Sequence, residues 1–280
     1  MTQQADTFLE RTGHVLAGWL RTETRDYEPF APFDAAALRK VLKPGDIILV
    51  EGREYISQVI KYLTTSTWSH SALYVGDIPG KTEEDGEPHC LIEVDVGEGC
   101  ISLPLSRYDT YNIRICRPVG LSSADREEVT RFMISKIGLS YDMKNIFDLL
   151  RYFFPLPLPA RWRRRAIAFG SGDPTRAICS SLIAEAYQRV HYPILPIIRT
   201  EERRRWGMGA RRREIYFIRH HSLFAPRDFD LSPYFAIVKP TLERGFKYKK
   251  LVWGEGDPPP KEEEVVRATE KAVEEAAAHG

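Results

Sequence analysis

The chain has 280 residues, 43% hydrophobic and 28% charged, with a formal net charge of +1. That length buries a sizeable core, and the near-zero charge excludes any global attraction to nucleic acid or anionic lipid, so such a partner would need a local patch. No run approaches the ~18 apolar residues of a membrane-spanning helix, no signal peptide is read at the N-terminus, and the four cysteines are too scattered for a disulfide framework or a CxxC metal site. The expectation is a cytoplasmic protein with no cofactor.

Residues 5–21 place Phe8, Val15, Leu16, Trp19 and Leu20 near one helical face, and residues 1–36 are read as a helical extension packing on the main domain. A Pro44–Gly45 turn opens the β-branched strand of LKPGDIILVEG, and a helix follows over Tyr55–Leu63. Strands are expected at Ala72–Val75, closed by a Gly76–Asp77 turn, at Cys90–Val96 and around Asn112–Arg117. From Ser122, SSADREEVTRFMISKIG reads as a helix with a Ser/Asp start. Residues 151–165, RYFFPLPLPARWRRR, set aromatics and prolines beside a basic cluster. Residues 176–190 are a helix candidate, a second basic cluster spans Arg199–Arg213, and FAPRDFDLSPYFAIVKP resumes mixed structure. From Asp257 a Pro-rich joint leads into an acidic, Ala-rich tail, read as a frayed helix or disordered. Strands gathered between residues 45 and 117 and flanked by helices argue for α+β.

Three residues on three of these elements suggest chemistry. Cys179 stands at the start of its helix, where the partial positive charge of the N-terminus favours thiolate. His70, between Ser69 and Ser71, stands at the entrance of a strand. In CLIEVDVGEG, period-2 alternation sends Ile92, Val94 and Val96 to one face and Glu93 and Asp95 to the other. Alone, a buried cysteine or a turn histidine is usually structural. Together with an acid that orients the imidazole, they form the set required for thiol-based acyl transfer.

The pieces LKPGDIILVEG, SHSALYVGD, LIEVDVGEGCISLPL, GLSYD, AICSSLIAEAY and FAPRDFDLSPYF, in that order between about Leu42 and Val238, resemble the permuted papain-like group related to NlpC-type cysteine hydrolases, in its YiiX/YebB-like branch. The inverted order, His70 before Cys179, is the mark of the permutation in that group. The resemblance implies a catalytic domain over residues 37–250, with 151–165 as an insertion and 251–280 as an appended tail. It implies a small antiparallel β-barrel or sheet packed against the cysteine helix, with His70 on the first strand. It further implies Cys179 as nucleophile, His70 as base, Glu93 as orienting acid with Asp95 as rival, and Tyr141 as a binding residue for the oxyanion beside backbone N–H groups of the cysteine helix.

The expected function is a cysteine hydrolase, amidase- or peptidase-like, acting on a small-molecule, peptide or lipid acyl substrate. A second reading is a lipid-directed acyltransferase or thiol esterase. The lecithin:retinol acyltransferase-like proteins belong to the same superfamily, and residues 151–165 suit peripheral contact with a membrane surface. A third reading, from another class, is a non-catalytic binding protein using its Arg clusters. Nucleic acid is disfavoured as the partner because the aromatics lack the spacing of a stacking module.

Overall fold

The computed structural model describes residues 22, 35–95, 98–139, 178–205, 208–240 and 249. The expected N-terminal helix, Tyr141, the 151–165 segment and the acidic tail lie outside these residues.

Chain order runs α1 (Ala35–Arg39), β1 (Ile47–Val50), α2 (Tyr55–Thr64), β2 (His70–Tyr74), β3 (Leu91–Asp95), β4 (Gly99–Leu103), β5 (Ile113–Pro118), α3 (Ser123–Ser135), α4 (Ile178–Arg189), β6 (Ile197–Arg205), β7 (Met208–Phe217), α5 (Pro226–Leu231) and β8 (Phe235–Val238). Six strands form one sheet in the order β4-β3-β2-β1-β5-β8, every neighbouring pair antiparallel. β6 and β7 make a separate two-stranded ribbon.

The architecture is α+β, and of the expected alternatives, barrel or sheet, the sheet is found: it is open, with β4 and β8 at its edges among the described residues. Both faces of the sheet carry apolar side chains that need cover. Ile47, Leu49, Leu73, Ile92 and Val94 pack with Val129, Phe132 and Met133 of α3 and Leu182, Ile183 and Tyr187 of α4. On the opposite face Ile48, Val50, Ala72, Tyr74 and Leu91 pack with Leu38 of α1 and with Leu105 and Tyr108 of a 3-10 turn, Leu105–Tyr108. This two-sided burial explains why IILV reads as an unbroken apolar run: all four residues of β1 are buried.

Local signals set the element ends. Gly45 sits at φ +91, where a side chain would be strained, and so lets the chain turn into β1. Ser122 caps α3 by accepting from Asp125 N–H at 3.1 Å, as the Ser/Asp start suggested. His70 is itself the first residue of β2, the second strand in chain order, which corrects its placement on a first strand.

Candidate active site

Cys179, His70 and Glu93 come from α4, β2 and β3, and the fold brings the three side chains together. Imidazole Nε2 of His70 lies 2.9 Å from Oε2 of Glu93. The Cys179 thiol and the same imidazole lie close enough for each to shift the other's pKa through charge. With Nε2 on Glu93, Nδ1 is the ring nitrogen left for the thiol. Ser180 Oγ lies 3.8 Å from Cys179 Sγ and 3.4 Å from Ser71 Oγ, linking the start of α4 to β2 beside the histidine.

The electrostatics of this group pull against burial. Burial alone would lower the His70 pKa, but Glu93 and Cys179 outweigh it and hold the imidazole well above its usual value. Burial would raise the Cys179 thiol. The imidazole's charge outweighs that, helped by hydrogen bonds from His70, Ser71 and Ser180, and lowers it. Glu93 is lowered despite burial, chiefly by the charge and hydrogen bond of His70, with Tyr108 adding a further hydrogen bond. The arrangement favours a thiolate–imidazolium pair backed by a carboxylate.

The other cysteines have no such environment. Burial pushes Cys90 and Cys100 up to about 11, and Cys116 higher still.

Glu93, rather than its rival Asp95, holds the imidazole. β2 and β3 pair at Leu73–Ile92 and Tyr74–Leu91. Continuing that register would set Asp95 across from His70, but no ladder pair extends that far, and the longer Glu93 side chain makes the bond from two residues along.

Tyr108 was not singled out from the sequence. Its hydroxyl donates to Glu93 Oε2, the same oxygen that faces His70 Nε2. Burial and the Glu93 charge raise the phenol well above its usual value, so it stays protonated as a donor. The only sequence signal was an aromatic in LSRYDTY between two strands, and nothing local distinguishes it from Tyr111, which packs edge-on against it.

The approach to His70 is braced from far along the chain. Asp230 of α5 accepts from Trp68 Nε1 at 3.1 Å and from Arg114 at 2.7 Å, and Arg227 binds the Thr64 carbonyl at the end of α2. Ser69 Oγ accepts from Gly52 N–H at 2.9 Å. Among the described residues, no group of three or more His, Cys, Asp or Glu is arranged to hold a metal ion. Nor is any helix among them long and apolar enough to cross a membrane.

No family model matches the chain, and no curated protein matches it. Among solved structures it is similar to a metalloprotein, YiiX of Escherichia coli O157:H7 (DUF1105), at 15% identity over 70% of this chain and 96% of that one, with a TM-score of 0.41.

Proposed function

We propose that the chain is a cysteine-dependent hydrolase that cleaves an amide or ester through a thioester intermediate. The observation that carries this reading is His70 bonded to the buried Glu93 on one side and lowering the Cys179 thiol by its charge on the other. Thiolate Sγ adds to the carbonyl carbon, and the new C–S bond replaces the C–N or C–O bond as His70 gives its proton to the leaving group. Water then attacks the thioester, returns a proton to His70 and releases the acid, while Glu93 holds the imidazole's orientation throughout. N–H groups at the start of α4 are suited to the tetrahedral oxyanion. The permuted papain-like assignment belongs to this proposal. It is supported by the His–Glu–Cys chain order and by a cysteine helix packed on an antiparallel sheet.

Trapping tests it. Rapid quench with an activated ester such as a p-nitrophenyl acylate should add one acyl mass to the intact protein, mapped to Cys179. Cys179→Ala should show no adduct. An adduct of equal yield in the variant, or none in the wild type, would sink the reading.

A further inference from the structure

The β6–β7 ribbon pairs with no other strand among the described residues, and nothing in the proposed chemistry uses it. Its strands have nine and ten residues, so it extends for about 30 Å. The root is pinned at both ends: Ser232 Oγ donates to the Ile194 carbonyl before β6, and Gln188 Nε2 donates to the Arg219 carbonyl at 2.6 Å after β7. Gln188 lies at the far end of α4 from Cys179, so the ribbon's root is fixed at the end of that helix opposite the candidate nucleophile.

Two properties of the ribbon are out of balance with a free surface. Its root exposes Ile197, Ile198, Tyr216, Phe217 and Ile218, each 45–55% accessible. The register pairs Ile197 with Phe217 and Ile198 with Tyr216, so successive apolar rungs fall on opposite faces. A two-stranded ribbon that buries neither face is marginal by itself, and large apolar side chains exposed on both faces of its root mark a contact surface.

Further out, charge takes over. Residues 199–213 hold seven arginines and two glutamates, a formal +5 within a chain of +1, which leaves −4 for the rest. Glu201 pairs with Arg213 and Glu202 with Arg212, but Arg203 falls opposite Arg211 and Arg205 opposite Met208. Opposed like charges destabilise a ladder unless anions lie against them. The two glutamates thus share rungs with Arg213 and Arg212, while the Arg203–Arg211 and Arg205–Met208 rungs nearer the tip hold no acid.

We infer that the β6–β7 ribbon is a docking arm for an anionic phospholipid surface, its outer arginines meeting headgroup phosphates and its Ile/Tyr/Phe root entering the interface. The apolar root favours lipid over nucleic acid, whose interfaces are more polar and more strongly basic than this one. Membrane-surface elements combine the two kinds of side chain found here.

Co-sedimentation of the full chain with phosphatidylcholine vesicles, with and without phosphatidylserine, tests the inference. Binding should need phosphatidylserine and fall as salt rises. Replacing Arg203, Arg204, Arg205 and Arg211 with Gln should lower the partition coefficient on the order of 10²–10³-fold. Ile197→Ser with Phe217→Ser should weaken binding while keeping its salt dependence. Both variants should retain the wild-type unfolding midpoint and rate of Cys179 alkylation, because the substituted residues lie away from both cores. Undiminished vesicle binding by both variants would overturn the inference and move the contact elsewhere, for instance to residues 151–165. So would absence of wild-type binding at low salt, binding of duplex DNA or RNA without vesicle binding, or a dimer whose formation the root substitutions abolish.

Discussion

At the residue scale, His70 has both a carboxylate and a thiol as partners, and each can be removed separately. Cys179 should be the first of the four cysteines alkylated by iodoacetamide, with a rate that reaches half its maximum below the thiol's ordinary 9.0. His70→Ala leaves burial as the dominant influence, so the profile should move above 9.0; peptide mapping across pH reads both. Glu93→Gln should lower turnover on the order of 10²-fold or more, and Asp95→Asn much less, because only Glu93 is bonded to Nε2. The reverse ranking in steady-state kinetics would reassign the acid. Tyr108→Phe removes one donor from Glu93 while keeping the ring that packs against Tyr111. Turnover should fall about tenfold with KM unchanged, and the acid limb should move to higher pH as Glu93 loses a hydrogen bond that holds it down. A purely structural tyrosine would lower the unfolding midpoint and leave the limb where it was.

At the element scale, the segment between β1 and β2 determines where His70 begins. Gly52 is enclosed: a Cβ there would lie 2.1 Å from Ser57 Oγ and 2.8 Å from Ser57 Cβ, and the second atom cannot rotate away. Gly52→Ala should therefore push the loop off α2, costing about 1–3 kcal/mol in urea unfolding. It should also slow Cys179 alkylation, since Gly52 N–H bonds Ser69 beside the histidine. Unchanged values for both would mean that α2 shifts freely. The segments read as elements from pattern alone were those with strong local signals: the IILV run, the Ser122 cap and the 176–190 helix, which is observed as Ile178–Arg189. β4 escaped because GCISL is short and opens on glycine. The β6–β7 ribbon escaped because Arg and Glu have little strand preference, and only pairing makes a strand of TEERRR.

At the scale of the whole molecule, the site links chemistry to stability through protons. The raised His70 contributes stability that is complete below its ordinary 6.5 and is lost as pH rises through its folded value. The lowered Glu93 contributes stability that is complete above its ordinary 4.5 and is lost as pH falls through its folded value. Their contributions overlap most between about 4.5 and 6.5. The difference in unfolding midpoint between wild type and Glu93→Gln should accordingly be largest in that window and shrink on either side. A difference that grew steadily toward alkaline pH would mean the imidazole is not charged in the folded protein.

What the sequence by itself determined is what neighbours along the chain determine: a thiol at a helix start, an alternating strand that puts an acid opposite its apolar face, turns that need glycine, and an α+β order of elements. The choice of Glu93 over Asp95, the Tyr108 hydroxyl on its carboxylate, the link from Asp230 to Trp68, and the open sheet in place of a barrel were decided by tertiary structure. The reason is physical. Register beyond the last ladder pair, contacts across more than a hundred residues, and the cover on each face of a sheet depend on where whole elements pack, and no local preference encodes them.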